Sequence, residues 1–149
     1  SVIPILLNQN RLKKNFTITD KRMTRFNISL NEAVSFVMNC ISKMKGNEIF
    51  IPKCSSYRIM DVAKAINPKV KIKFIGIRPA EKIHEELINK SEYFNSVETK
   101  NGFVIYQNIT KFNKKLKEGI SYNSNENKNF LSVKKIRELI NKNISDFEK

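Results

Sequence analysis

The chain has 149 residues, of which 40% are hydrophobic, and a formal net charge of +14. This length suffices for one domain with a core, and the lack of any apolar run near the roughly 18 residues that span a bilayer excludes a transmembrane helix. The charge is typical of proteins with anionic partners. The lysines, however, are scattered, a pattern that favours drift in an AT-rich genome over a nucleic-acid-binding surface.

The first residues contain only a short apolar stretch with no basic segment before it, so we do not expect this stretch to be a secretory signal. Cys40 and Cys54 lie in dissimilar surroundings and are too few for a disulfide framework. We therefore expect two unpaired thiols and a cytoplasmic location.

The first half of the chain predicts a short helix over residues 2–12 and extended segments at 16–18 and 24–28. The clearest element follows them. Ser29 and Glu32 form the pattern of a capping box, and apolar residues then recur at three- and four-residue spacing as far as Met44. Gly46 is expected to end this helix.

Further along, residues 48–52 form an apolar run without polar alternation, which predicts a strand covered on both faces. Ser56 is expected to cap a helix over 57–66, followed by a strand at 71–75 and a helix over 80–88. This alternation predicts an α/β fold with parallel pairing. A late strand at 103–106, an exposed polar loop at 119–129 and a helix over 133–143, capped by Ser132, complete the chain.

The residues that usually carry catalysis are missing. The four glycines are far apart, so there is no glycine-rich dinucleotide motif, and no tyrosine has a lysine four residues later. His84 is the only histidine, which argues against a histidine-rich metal site or a serine–histidine–aspartate triad. We expect His84 to be a half-buried helix residue, and no catalytic or metal-ligating residue is assigned.

Two segments combine arginine with turn residues and a following helical pattern, namely residues 18–34 and 76–86. The chain has only six arginines, so the positions of Arg25 and Arg78 are informative. A guanidinium can donate two hydrogen bonds to phosphate oxygens, which a lysine cannot do with the same geometry. A surface ion pair with a nearby acid is the alternative interpretation.

The segments TDKRMTRF, GNEIFIPK, DVAKAI and GIRPAEKIHEE resemble the C-terminal part of the inverting UDP-N-acetylglucosamine 4,6-dehydratases. These enzymes are lyases of the extended short-chain dehydrogenase/reductase superfamily. The segments also resemble the related capsule and polysaccharide biosynthesis proteins of that superfamily. The opening SVIP and the tail SYNSNENKNFLSVKKIRELI resemble the same family. The resemblance covers nearly the whole chain, in order and at compatible spacing.

The resemblance implies an α/β fold that is the C-terminal, substrate-binding portion of a Rossmann-type enzyme. Residues 1–110 would form the UDP-sugar-binding half, and 111–149 a C-terminal loop and helix. NADP or NAD, and the catalytic residues, would belong mainly to an N-terminal Rossmann half that this sequence lacks. The implied partners are a UDP-sugar and that missing half, in a homo-oligomeric enzyme, with no nucleic acid and no membrane. Without the other half, one sheet edge and a face of the first helix should be uncovered.

The resemblance also implies a set of substrate contacts. Arg25 and Arg78 would hold the diphosphate, and Glu81 would lie near the ribose hydroxyls. The uracil would pass the segment from Phe16 through Ile18 to Thr19, largely along the backbone, and Val2 and Pro4 would line the sugar-nucleotide pocket.

Three alternatives remain open on the sequence alone: a UDP-sugar 4-epimerase of the same superfamily, a basic nucleic-acid-binding module, and an inactive gene fragment. One departure from the family pattern is specific. The usual R-P-G-E-K reads R-P-A-E-K here, so Ala80 would carry strain of about 1 kcal/mol if the turn needs a positive φ.

Overall fold

A computed structural model describes residues 2–107 and 120–143. The helices are α1 Val2–Arg11, α2 Leu30–Ile41, α3 Ile59–Ile66 and α4 Val133–Lys142, with a 3₁₀ turn at Tyr93–Asn95. The strands are β1 Phe16–Ile18, β2 Thr24–Asn27, β3 Ile49–Pro52, β4 Ser55–Arg58, β5 Ile72–Phe74, β6 Glu86–Ile88, β7 Ser96–Glu98, β8 Gly102–Ile105 and β9 Tyr122–Asn123.

The strands form four small sheets, which confirms the α/β class but restricts its parallel character. β1 and β5 pair in parallel, with Phe16 opposite Ile72. The pairs β2–β4 and β6–β9 and the sheet β3-β8-β7 are antiparallel. Within the described residues, β1 and β5 are therefore the one parallel strand pair, and that pair has no third strand. A single parallel bridge also joins Ser56 of β4 to Phe130.

The main core lies where α1, β1, α3 and α4 meet. Its most buried side chains include Leu6, Phe16 and Val62, each with no exposed surface. Ile136 and Ile140 of α4 belong to the same cluster, so the C-terminal helix shares one core with the first half of the chain. The predicted boundary between residues 110 and 111 lies outside the described residues.

Helix α2 begins with the predicted capping box. The Glu32 amide donates to the Ser29 hydroxyl, and the Ser29 amide donates to the Glu32 carboxylate. The hydrogen bonds from Ser29 hold the pKa of the Glu32 carboxyl below its usual value. The helix ends at Ile41, earlier than predicted, and Gly46 lies beyond it with a positive φ.

The sequence predicts an uncovered face on the first helix. In the structure the exposed apolar surface lies mainly on α2 and to a smaller extent on α1. α2 has no buried residue. The apolar side chains of α2 that are more than half exposed form one stripe: Leu30, Val34, Val37, Met38 and Ile41. On the opposite side, Phe36 and Cys40 are half-buried and line a small cavity with Phe50 of β3. A helix that is apolar on both sides is typical of one enclosed in a larger protein.

Four local predictions are wrong, because the contacts of a segment with the rest of the chain differ from those that its local pattern indicates. Residues 80–88 are not helical but run through a turn into β6. Ser56 caps no helix, since it lies fully buried inside β4, and Arg58 occupies the cap position of α3. The strand at 48–52 is not covered on both faces, because Ile49 is 57% exposed. The described part of the polar loop at 119–129 is not simply exposed, since it contains β9 and the buried Ser124.

Candidate functional site

The turn between β5 and β6 brings together three of the predicted site residues. Oε1 of Glu81 accepts a hydrogen bond from the Thr19 hydroxyl at 3.3 Å, and its Oε2 accepts one from the Arg78 amide at 3.3 Å. The Glu81 amide in turn donates to the Arg78 carbonyl at 3.1 Å. Thr19, Arg78 and Glu81 therefore form one cluster across 62 residues of sequence.

Within this cluster the Arg78 guanidinium is available to a ligand. Its side chain is exposed and makes no hydrogen bond or ion pair with any described residue. A free guanidinium on a turn whose backbone is fixed from two sides can donate to phosphate oxygens.

Ala80 occupies the position where the sequence predicts strain. Its φ is 64°, in the left-handed region, where a Cβ costs about 1 kcal/mol relative to glycine. This strained residue stands between Arg78 and Glu81, so the chain tolerates a backbone cost inside the cluster.

Replacing Ala80 with glycine should therefore stabilise the chain. The gain should be about 0.5–1 kcal/mol, since relief of the left-handed strain is partly offset by the greater freedom of glycine in the unfolded chain. Urea unfolding followed by circular dichroism measures it. Ala65→Gly, inside α3, is the matched control and should destabilise. A loss of stability in Ala80→Gly would contradict the left-handed turn.

Arg25 is bound to the segment that follows Glu81. Its Nη1 donates to the carbonyls of Thr24 and Ile83, its Nη2 donates to the Lys82 carbonyl at 3.0 Å, and its Nε lies 3.2 Å from the Glu85 carboxylate. A weaker contact joins Nη2 to the Met23 sulfur. These contacts occupy the N–H groups of both Nη atoms, and Nε forms an ion pair with Glu85. A direct bond from Arg25 to a diphosphate would have to replace one of them, and it stays a prediction.

The remaining predicted residues lie elsewhere. Phe16 and Ile18 are 0% and 2% exposed as whole residues, backbone included, and their side chains belong to the main core, whereas Thr19 is half-buried. Val2 and Pro4 are half-buried on α1, and Val2 packs against the main core. Their contacts with a sugar nucleotide stay predictions.

A hydrogen-bonded chain beside Arg25 was missed at the sequence level. Nδ1 of His84 lies 2.8 Å from the Thr24 hydroxyl, which lies 2.7 Å from the Ser124 hydroxyl. Thr24 and Ser124 are 2% and 0% exposed. His84 stands out in the sequence as the single histidine, but no local pattern links it to Thr24 and Ser124, which are 60 and 40 positions away.

The described residues offer no metal or dinucleotide site. In residues 2–107 and 120–143, no group of three His, Cys, Asp or Glu side chains could hold a metal ion. Gly46, Gly76 and Gly102 lie in two separate turns and a strand and do not form a loop around phosphates. The part of the chain that the structure describes also has no helix long and apolar enough to cross a membrane. Both thiols are free, as predicted, and burial raises the pKa of Cys54.

A comparison with known protein families identifies the family of this chain. The family model described as "Polysaccharide biosynthesis protein" matches residues 1–107. The chain belongs to this family. The predicted resemblance is thereby confirmed.

Curated relatives in the family include sugar-nucleotide enzymes. Over 142 residues the chain is 39% identical to UDP-N-acetylglucosamine 4,6-dehydratase (inverting) of Campylobacter jejuni, and the alignment covers 86% of this chain and 42% of that protein. It is 40% identical over 96 residues to UDP-glucose 4-epimerase of Rickettsia bellii, covering 62% of this chain and 28% of that protein. The chain thus spans less than half the length of these relatives.

A solved structure shares the fold. Pen from Bacillus thuringiensis superposes with a TM-score of 0.79 at 31% identity, over 95% of this chain and 44% of that chain. The predicted fold class, a portion of a Rossmann-type α/β enzyme of the extended short-chain dehydrogenase kind, is confirmed.

Proposed function

We propose that this chain is the sugar-nucleotide-binding part of a UDP-N-acetylglucosamine 4,6-dehydratase, a lyase that acts in surface polysaccharide biosynthesis. The observation that carries the proposal is the cluster of Thr19, Arg78 and Glu81. It presents one unpaired guanidinium beside a carboxylate on a backbone that hydrogen bonds hold in place. The named activity of the Campylobacter relative supports the substrate class.

In this proposal Arg78 donates to the diphosphate, and Glu81 accepts from the ribose hydroxyls. These roles match the chemistry of the two groups, since a guanidinium suits phosphate oxygens and a carboxylate accepts from hydroxyls. The uracil would pass the segment from Phe16 to Thr19 at its Thr19 end, because Phe16 and Ile18 are enclosed in the core while Thr19 is half-buried. Val2 and Pro4 would border the sugar from α1.

The chemistry would need groups that the described residues do not supply. NADP or NAD would be bound mainly by the rest of the enzyme, because the described glycines form no phosphate-binding loop. This chain would contribute binding and orientation of the substrate. We propose a cytoplasmic location, with residues 111–149 forming the C-terminal loop and helix.

The partner would be the N-terminal Rossmann half, within a homo-oligomer. The exposed stripe of α2 supports this partner, together with a cavity of about 410 Å³ at the start of α2, bordered by Leu30, Tyr57 and Leu139. Relatives that share this fold carry more than half of their length outside the matched region. That length suffices to cover such a surface.

Charge placed on this stripe should weaken association with that partner. Val37→Glu should reduce binding to a separately expressed N-terminal half of the Campylobacter dehydratase by about tenfold or more, because a carboxylate would be buried without a partner. Ser35→Glu, exposed on the side of α2, is the control. Equal binding of both variants, measured by analytical ultracentrifugation, would remove α2 as the docking surface.

A UDP-sugar 4-epimerase is the second candidate, favoured by the match to the Rickettsia enzyme. Both reactions need similar binding of a nucleotide diphosphate, so the proposed contacts would serve either enzyme.

Calorimetric titration with UDP tests the binding proposal. Arg78→Ala should weaken UDP binding by about tenfold to a few hundredfold, because one charge-assisted pair contributes roughly 1.5–3 kcal/mol. Arg11→Ala removes the same charge from the end of α1, where the arginine side chain bonds to Asn8 and to no other residue that the structure describes, and should change the affinity less than about twofold. If both variants lose equal affinity, general charge attraction explains the binding and the site assignment fails.

A further inference from the structure

We infer that His84 is an additional ligand-contacting residue, held as the neutral tautomer whose Nε2–H donates a hydrogen bond to the bound sugar nucleotide. The contact with a sugar nucleotide rests on the proposed function, whereas the tautomer assignment does not. Its physical basis is the chain of hydroxyl groups behind the ring.

The Ser124 hydroxyl is the fixed end of this chain. It accepts a hydrogen bond from the Glu85 amide at 2.9 Å, and the Ser124 amide donates back to the Glu85 carbonyl at 2.8 Å. Because one lone pair of the oxygen is taken by an amide, its single proton needs an acceptor. Among the described residues the Thr24 hydroxyl, 2.7 Å away, is the one available.

This geometry determines the direction of every proton along the chain. Ser124 donates to Thr24, so the Thr24 proton is free to go to Nδ1 of His84 at 2.8 Å. The opposite order, with Nδ1–H donating to Thr24 and Thr24 to Ser124, leaves the Ser124 proton unsatisfied at a site with no exposed surface. A buried unsatisfied donor is disfavoured by about tenfold or more. Nδ1 is therefore the acceptor, and the ring proton is on Nε2.

The Nε2–H group is then an unused donor on the segment that directly follows Glu81. His84 is half-buried, and its Nε2 makes no hydrogen bond with a described residue. The ring lies three positions after Glu81, on the segment whose carbonyls Arg25 holds at Lys82 and Ile83. Thr24 and Ser124, which are buried, act as positioning residues for the ring, and Arg25 holds the same segment.

The single histidine makes the tautomer directly measurable. Long-range ¹H–¹⁵N NMR of the full chain should show the pattern of an Nε2–H imidazole in the absence of any ligand. Thr24→Val, which keeps the shape but removes the hydroxyl, should produce a mixture of both tautomers. Thr17→Val, which removes a hydroxyl bonded to Gln9 instead, should leave the pattern unchanged. An Nδ1–H imidazole in the wild-type chain, or no response to Thr24→Val, overturns the tautomer assignment.

Titration with UDP, the probe for the ligand, tests the contact. UDP should shift Nε2 and leave Nδ1 in place, and His84→Phe should weaken UDP binding by about threefold to tenfold, the range of a neutral hydrogen bond. His84→Gln, which can donate from a similar position, should recover most of that loss. Unchanged affinity in His84→Phe overturns the contact. If UDP does not bind the wild-type chain, the proposed function fails, while the tautomer result without ligand is unaffected.

Discussion

Arg25→Ala should lower the free energy of unfolding by about 2–4 kcal/mol, the largest effect of any arginine substitution in the chain. The carbonyls of Lys82 and Ile83 would lose a charged donor, and the Glu85 carboxylate would lose its ion pair. Hydrogen bonds to charged groups contribute roughly 1.5–3 kcal/mol each, and the effects of neighbouring bonds are not additive. The Arg25 side chain is only 20% exposed, so water replaces these bonds poorly.

Arg25→Lys should recover little of this loss, because an ammonium on a flexible stem cannot donate to several fixed acceptors in a fork. Arg22→Ala is the matched control, since Arg22 is 60% exposed and paired only with Asp20. It should cost less than about 0.5 kcal/mol. Chemical unfolding of the three variants compares them, and an Arg25→Ala chain as stable as Arg22→Ala would show that the guanidinium does not hold this segment.

Gly102→Ala should destabilise the chain by about 2–3 kcal/mol or prevent folding. A Cβ at this position would collide with the carbonyl oxygen of Ile51 and approach Pro52 at 3.3 Å. Both contacts are with backbone of the paired strand β3, which cannot move without breaking the register with β8. Overpacking usually costs 1–3 kcal/mol, and an obstacle of rigid backbone places this case at the upper end.

Thermal unfolding of Gly102→Ala beside Asn101→Ala provides the comparison. Asn101 is exposed, and the bond that it offers to Lys53 comes from its backbone carbonyl, so its side chain should matter by less than about 0.5 kcal/mol. Equal melting temperatures for the two variants would mean that β3 and β8 are not as closely paired as the structure shows.

The sequence predicts the elements whose signals are local. Ser29 with Glu32 and Ser132 with Lys135 cap α2 and α4 through groups three residues apart, and the structure shows both contacts. Spacing within a few residues is sufficient information for a helix start. The extent of α2 is less well predicted: the apolar spacing runs on to Met44, but the helix ends at Ile41, and its stripe stays exposed among the described residues.

The helix predicted over residues 80–88 failed for a reason outside the segment. A helix would use the carbonyls of Lys82 and Ile83 for its own amides four residues later. Here those carbonyls accept from Arg25, and the Ile83 carbonyl also accepts from the Thr24 amide. The donors lie almost 60 residues earlier, so the apolar spacing of the segment could not reveal them.

The candidate site was predictable only in part, because some of its contacts are local and others join distant segments. Arg78 and Glu81 are three residues apart in a turn, and the resemblance to the family predicted both as candidate site residues. The link of Glu81 to Thr19 spans 62 positions, and the links of Thr24 to His84 and to Ser124 span 60 and 100. Such pairs depend on how β2 and the segment around Ser124 pack, which residue types alone do not determine.

The central claim is that the turn carrying Arg78 and Glu81 receives the phosphates of a nucleotide. Amide NMR of the full chain during titration with UDP, and separately with uridine, tests it most directly. UDP should shift the amides of Thr19, Arg78 and Glu81, whereas uridine, which has no phosphate, should leave Arg78 in place. Shifts from UDP that spread over surface lysines and spare these three amides would contradict the account.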